Sequence, residues 1–557
     1  MAGGLLNIVS VGNANVILTG NPTKTFFKVT YSKYTNFGLQ KFRIDFEGAR
    51  DLRLTDQSTF TFKMKRYGDL LMDTYLVMNL PDIWSPIWQP STNTNNQWSP
   101  YDFKWIENLG IQMISSIEIL CGSVTLHKYS GQYLYLMMQR DFNTIKKQVF
   151  DEMSGNVAEL NDPVNSTIYR NAPSPNAAFR NNSTIHGYPS AYYTANPLGS
   201  GPSIQGRTIY IPINTLFTLD SRCAFPLVSL QYNELTINVT LRSIQDLVQV
   251  RDVFDVSNGF PYVRPDFNQD RFQMYRFLQT PPSVNLSSSN YVSQLNTWVA
   301  DVHLLSTYGF LSKEERDLFA AEDQIYLIKD VFQYNQQNVT GSSKVKLKNS
   351  NGMVSSWMWY FQRNDVNLRN EWSNYTNWPY SNMQPGPLIL GTMSTSANTP
   401  GPGTQQIYTT GDFSALNKRE ILETFGIVFQ GDYRENVMPR GVYDYVEKYT
   451  RTDGFAKSGI YCYNFCLHTS PLEYQPSGAI NLSRFNNIEF EFTTNAPPID
   501  NSPNKFLVNC DSMGNPISVS TKTGWDIYTY NYDITIFEER YNILSFIGGN
   551  CGLMYAR

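Results

Sequence analysis

The stretch Tyr528–Phe537, YTYNYDITIF, puts Tyr528, Tyr530, Tyr532, Ile534 and Ile536 at every second position, with Thr529, Asn531, Asp533 and Thr535 between them. Successive side chains of an extended chain point to opposite faces, so this spelling predicts a strand with one apolar and one wet face. Such a strand belongs in an antiparallel sheet, because the strands of a parallel sheet are covered on both faces and read as unbroken apolar runs. The same alternation recurs at Phe42, Ile44, Phe46; at Phe60, Phe62, Met64; at Leu235, Ile237, Val239, Leu241; and at Ile488, Phe490, Phe492.

Turn dipeptides punctuate these runs. Cys121-Gly122 separates IEIL from VTL, and Asn258-Gly259, Asn351-Gly352 and Asp453-Gly454 follow the same rule, which predicts hairpins. One stretch reads as a helix, SKEERDLFAAED at Ser312–Asp323, where Ser312 can cap and Glu315 can complete a capping box. Three stretches rich in Asn, Ser, Thr, Pro and Gly, Asp151–Gln205, Arg363–Gly411 and Thr494–Trp525, read as elaborated loops, with Ala172–Pro202 an exposed part of the first. Loops of this length need a scaffold whose connections gather at its ends, as those of a β-sandwich do.

Composition narrows the class. Only 17% of the 557 residues are charged while 14% are aromatic, a balance that favours packed strands over disorder. A formal net charge of -4 lacks the basic excess that grips phosphates, so direct nucleic-acid binding is not expected. The N-terminal MAGGLLNIVSVGNANVILTG has neither a basic leader nor a long apolar core, and the expectation is synthesis in the cytosol. Six cysteines are then expected to stay reduced, with Cys462 and Cys466 as two small buried groups on one strand face and not half of a zinc site.

Chemistry is sparse. His127, His186, His303 and His468 have no metal-ligand spacing, and His127 reads as an ordinary strand-face residue. The glycine clusters Gly199–Gly201 and Gly401–Gly403 lie in loops and match no phosphate-binding or nucleophile motif. The adjacent pairs Glu314-Glu315 and Glu538-Glu539 point apart and are expected on solvated faces. Trp84, Trp88, Trp98 and Trp105, interleaved with prolines, read as interface anchors. Sequons at Asn165, Asn182, Asn238, Asn285, Asn338, Asn374 and Asn481 read as by-products of a polar chain. No catalytic, metal or cofactor residue is therefore predicted. The aromatics and polar loops leave a carbohydrate-binding or carbohydrate-active β-sandwich as the alternative reading.

A composition shift at 246–264 predicts a linker, with one sandwich over 26–245, a second over 265–557 and a leading segment over 1–25. MISSIEIL at Met113 and MVSSWMWY at Met353 hint at duplication.

Five blocks carry a resemblance along the whole chain: LTGNPTKTFFKVTYSKYTNF at Leu18–Phe37, RYGDLL at Arg66–Leu71, WIENLGIQMISSIEIL at Trp105–Leu120, FPLVSLQYNELTINV at Phe225–Val239, and IYCYNFCLHTSPLEYQPSGAINLSRFNN at Ile460–Asn487. Together with the terminal GGNCGLMYAR, they resemble the major capsid proteins of nucleocytoplasmic large DNA viruses, the group of phycodnaviruses and mimivirus relatives. The turn Cys121-Gly122-Ser123 stands where that family often has a double glycine.

The resemblance implies an all-β chain of two tandem eight-stranded antiparallel jelly rolls with long loop insertions, structural and not enzymatic. It further implies a homotrimer with a pseudo-hexagonal outline that meets neighbouring capsomers and minor capsid proteins and tiles an icosahedral shell over an internal membrane. The protein would be made and assembled in the host cytoplasm and reside in the virion capsid. Residues 1–25 would lie on the inner side, and the outer loops would be available to glycans. A minor capsid or spike component is the neighbouring alternative.

Overall fold

The computed structural model describes residues 3–10, 12–48, 51–88, 99–163, 202–254, 262–282, 286–348, 350–381, 389–393, 405–408, 418–473, 475–495, 507–510, 516–520 and 530–555. The turn Asn258-Gly259, the glycine clusters, His186, Trp98, the segment Ala172–Pro202 apart from Pro202, the sequons Asn165, Asn182 and Asn285, and the first two residues of YTYNYDITIF lie outside them.

Two pairs of sheets form two halves. In the first, Phe37–Asp45, His303–Leu311, Leu70–Asn79 and Phe225–Pro226 are neighbours in that order, and Thr208–Pro212 also pairs with Leu70–Asn79. The facing sheet runs Ser58–Lys63, Leu235–Leu241, Ile114–Cys121, Val124–Tyr129. The alternation in the sequence explains the packing: Phe60, Phe62, Ile237, Val239, Ile117 and Ile119 are all buried and share one core with Ile44, Leu76 and Ile211 from the other sheet. The expected hairpin at Cys121 forms, with Gly122 at φ 59, a conformation that suits a residue without Cβ.

In the second half one sheet runs Gln324–Val339, Tyr532–Ile547, Met353–Arg363, Ile460–Asn464, and the other Ser342–Lys346, Ile488–Thr494, Leu422–Phe429, Asp432–Pro439. Both halves pair antiparallel, with the long strands 324–339 and 532–547 matched almost throughout. An aromatic core joins the two sheets of this half. Trp359 stacks on Phe425 at 4.3 Å between centroids, Trp357 meets Phe490 edge-on at 5.0 Å, and Phe361 meets Phe492 at 5.1 Å.

Two expectations change. The strand His303–Leu311 lies between Phe37–Asp45 and Leu70–Asn79, so the first sheet extends past the expected linker at 246–264. Within that linker, Val248–Arg251 is itself a strand pairing with Phe103–Trp105 and Tyr262–Val263. The helix at Lys313–Ala321 forms, and Ser312 accepts from the Glu315 backbone N–H as a cap should.

Two further helices, Gly131–Asp141 and Thr144–Ser154, form where the sequence pattern gives no helix, the second running into the expected loop at Asp151. Nearly every residue of Gly131–Asp141 is buried, so it lacks the polar face that reveals a helix in sequence. Asn351-Gly352 and Asp453-Gly454 join sheet to sheet and helix to strand and do not close hairpins.

The alternating face of Tyr530, Tyr532, Ile534 and Ile536 is buried as expected. Tyr532 is wholly enclosed, and its hydroxyl donates to Asn377 Oδ1 at 2.7 Å. Tyr532→Asp should therefore destabilise the protein by more than about 4 kcal/mol, and Tyr532→Phe by about 1 kcal/mol. Thermal unfolding of the two variants checks this; unchanged stability of Tyr532→Asp would place that face in water.

Candidate functional site

The sheet that carries Tyr532–Ile547 is covered on both sides. Along Met353–Arg363, Trp357, Trp359 and Phe361 enter the second sandwich, while Met358 and Tyr360, one position out of phase, join the core of the first half. A strand so placed reads as an unbroken apolar run, which is what WMWYF is. The side expected to be wet is in large part an internal boundary.

Charges are sealed into that boundary. Glu538 and Glu539, expected on solvated faces, are almost entirely enclosed. They do point apart, as adjacent strand residues must, but each enters a different interior. Glu539 faces the helix Gly131–Asp141, where Arg140 Nη2 donates to its two oxygens at 3.0 and 3.1 Å and Tyr133 OH donates at 2.9 Å. Arg140 also forks onto Asp141 at 2.9 and 2.7 Å, and its Nη1 donates to Ser356 Oγ at 3.2 Å. Thr469 Oγ1 donates to Asp141 at 2.6 Å.

Burial alone would push the Glu539 carboxyl up. The charge of Arg140, that of Lys329, and hydrogen bonds from Ser356 and Arg140 overcome it and hold the group at about 2. Burial dominates at Asp141 and raises it against the pull of the same guanidinium. One cation thus serves two carboxylates from opposite halves, a geometry whose worth lies in fixing register more than in net stability.

Glu538 turns the other way. Trp357 Nε1 donates to it at 2.8 Å, and Arg540, lying 3.6 Å over the Phe332 ring, pairs with it and donates to Tyr334 OH at 2.7 Å.

A second set of bonds stitches the halves together through 369–380, part of a stretch expected to be an exposed loop. Asn370 Nδ2 donates to the carbonyls of Gln245 and Val248 at 2.7 and 2.8 Å, and Trp372 Nε1 to Asp246 at 2.9 Å. Asn108 and Gln112 each donate to Ser373 Oγ at 3.0 Å, Tyr375 OH donates to Gln132 at 2.8 Å, and Arg242 lies 4.1 Å over the Trp372 ring. The polar composition that looks like a loop instead satisfies buried backbone groups.

The other singled-out residues are structural. His127 is buried, with Nδ1 3.0 Å from Asp330 Oδ1 on the second half's edge strand, a cross-half contact that the strand-face reading did not anticipate. Cys462 and Cys466 are buried thiols, and burial pushes Cys462 up to about 12. Trp105 packs in the first core against Phe103 and Trp298 and does not project as an interface anchor. Among the described residues no group of His, Cys, Asp and Glu is arranged to hold a metal ion. Asn374 is buried, whereas Asn338 and Asn481 are exposed.

The outer surface has a distinct apolar feature. The short helices Gly3–Val9 and Val16–Thr19 and the extended chain after them expose Leu6, Ile17, Leu18, Phe26, Phe27 and Val29 by at least two-thirds. Two sheet edges are also open: Phe37–Asp45 with Leu39 exposed, and Gln324–Val339 with Ile325 exposed. Open edges and apolar arms of this size are unfavourable in a free monomer and mark contact surfaces.

Paired antiparallel sandwiches joined by a buried internal wall, with apolar contact surfaces outside, define a double jelly-roll shell protein. Residues 25–304 match the family described as major capsid protein N-terminus, and residues 315–552 match that of the large eukaryotic DNA virus major capsid protein. The chain belongs to this family of capsid proteins, and it is a structural protein of the virion shell that forms the capsomers of an icosahedral capsid, not an enzyme.

Among its relatives, the major capsid protein of Phaeocystis pouchetii virus is 23% identical with full coverage of both chains, and that of Paramecium bursaria Chlorella virus 1 is likewise 23% identical over the whole of both. In fold the chain is similar to a chain of the PBCV-1 virus capsid, with a TM-score of 0.58 and 18% identity over 96% of this chain and 100% of that one. The Faustovirus major capsid protein matches with a TM-score of 0.58 and 13% identity over 98% of each chain.

The seam generates two predictions. Glu539 titrates at about 2 when folded against an ordinary 4.5, so between these values the unfolded chain holds the extra proton. Its contribution is complete above about pH 4.5 and is lost as pH falls toward about 2. Chemical denaturation across this range should show stability falling with acidification, more gently in Glu539→Gln. Arg140→Met leaves two buried carboxylates without their cation and should lower stability by about 3–5 kcal/mol at neutral pH.

Proposed function

We propose that the chain associates as a homotrimer whose six sandwiches form a pseudo-hexagonal capsomer. The observation that carries this reading is the pair of similarly built sandwiches locked side by side in one chain. Three such units around an axis present six comparable faces, and closed rotational symmetry lets each open edge meet a neighbour. Burial of more than about 2,000 Å² would be typical of so permanent a contact. Neighbouring capsomers would meet at the outer flanks of the trimer.

The division between the sandwiches falls at 312–323 in this reading, supported by the chain's passage there from the strand His303–Leu311 to Gln324–Val339. The arm over residues 1–25 faces inward and contacts minor capsid proteins close to an internal membrane; its exposed Leu and Ile side chains support that reading. Assembly takes place in the host cytoplasm, direct nucleic-acid binding is absent, and outer loops are open to glycans, with Asn338 and Asn481 the accessible described sequons.

Light scattering and negative-stain imaging of one chromatographic peak test the proposal. A trimeric mass with a pseudo-hexagonal outline is expected, and a well-folded monomer at micromolar concentration would overturn it. Removing residues 1–25 should leave that trimer intact and impair shell assembly; loss of soluble trimer would place the arm inside the subunit contact.

A further inference from the structure

Two cysteines that sequence spacing never connects meet at the back of the molecule. Cys121 ends the strand Ile114–Cys121 of the first half, and Cys551 lies in the C-terminal strand Asn550–Leu553. Both are buried and unoxidised, and each thiol perturbs the other's ionisation. The surrounding contacts fix this meeting independently. Asn233 Nδ2 donates to Asn550 Oδ1 at 3.2 Å, Gln231 N donates to Gly549 O at 3.0 Å, and Gly122 N donates to Glu234 O at 3.0 Å. The C-terminal hairpin is thereby seated on the same turn that follows Cys121.

We propose that Cys121 and Cys551 form an oxidative modification site, a disulfide clasp that closes when the protein meets peroxide and ties the C-terminal strand of the second sandwich to the first. The chemistry balances with hydrogen peroxide as oxidant. The Cys121 thiolate attacks one peroxide oxygen, the O–O bond breaks, and hydroxide leaves, which takes a proton to become water and leaves a sulfenic acid on Cys121. The Cys551 sulfur then attacks the Cys121 sulfur, the S–O bond breaks, and a second water departs with the Cys551 proton. Overall, two thiols and one peroxide give one disulfide and two waters.

The environment assigns the roles. The neighbouring Cys551 thiol holds Cys121 below its ordinary range, with Arg66 adding to the effect, while Cys121 and burial push Cys551 up. Arg66 is anchored at this place by its Nη2, which donates to Asn233 O at 3.2 Å. Cys121 is therefore the nucleophile and Cys551 the resolving thiol. At Cys462 and Cys466 burial outweighs the cations nearby and raises both thiols, so they stay reduced. The clasp closes a loop across most of the chain, the case in which a cross-link restrains the unfolded state most.

Peroxide treatment of the full-length protein, quenching, and non-reducing peptide mapping test this directly on the wild type. The expected result is a Cys121–Cys551 cross-linked peptide, two fewer titratable thiols in denaturant than the six of the reduced chain, and a Tm rise of roughly 5 °C that dithiothreitol reverses. Cys551→Ser should lose both the cross-link and the Tm rise. Recovery of Cys121 and Cys551 as alkylatable thiols, their conversion to sulfinic acids without a cross-link, or a bond between other cysteines would overturn the proposal. Because it is read from one polypeptide, its outcome is independent of the trimer.

Discussion

A sheet buried on both faces has no solvent side on which to place a charge, and the wall formed by Gln324–Val339, Tyr532–Ile547, Met353–Arg363 and Ile460–Asn464 carries several. The rest of the architecture follows from how these are satisfied. Glu539 and Arg140 must stay together, because either one alone in that interior costs several kcal/mol. Their pairing sets the helix Gly131–Asp141 against one face of the wall, and the first sandwich is anchored through that helix. On the opposite face, Glu538 does the same for the aromatic core around Trp357. Hydrophobic burial supplies most of the driving force here but is indifferent to register. The charged and amide contacts admit only one register.

This arrangement gives the shell protein what its function requires. A capsomer that must tile a curved lattice needs sandwiches at a fixed angle to one another, so a flexible linker between them would spread assembly over many geometries. The segment 369–380 and the His127–Asp330 contact therefore serve assembly without touching a neighbour. The apolar arm and open edges remain for contacts between copies.

Much of the fold is legible in sequence, for a physical reason. Period-two alternation at Phe60–Met64, Leu235–Leu241 and Ile488–Phe492 reports strands with one buried face, and each is found as such. The resemblance of the sequence blocks then supplies the pairing into two halves. Illegible were the elements buried on all sides. YLYLMM within Gly131–Asp141 is apolar throughout, yet it is a helix enclosed by the core of the first half. Glu538-Glu539-Arg540 in an otherwise apolar strand, and Arg140-Asp141 at the end of an apolar run, were the available signals of a buried charge cluster. Each is two or three residues long and gains meaning only when the folded chain brings them together. The segment after Arg363 has the composition of a loop because buried irregular backbone also needs Asn, Ser and Thr to satisfy it.

The central claim is that the two sandwiches are one mechanical unit. Scanning calorimetry of the reduced protein at neutral pH tests it most directly. A seam of buried ion pairs and a shared core predict one cooperative transition whose calorimetric and van't Hoff enthalpies, referred to the native oligomer, agree. Two separable transitions, one retained when the second half is already unfolded, would contradict the account and return the protein to a pair of independent sandwiches on a tether.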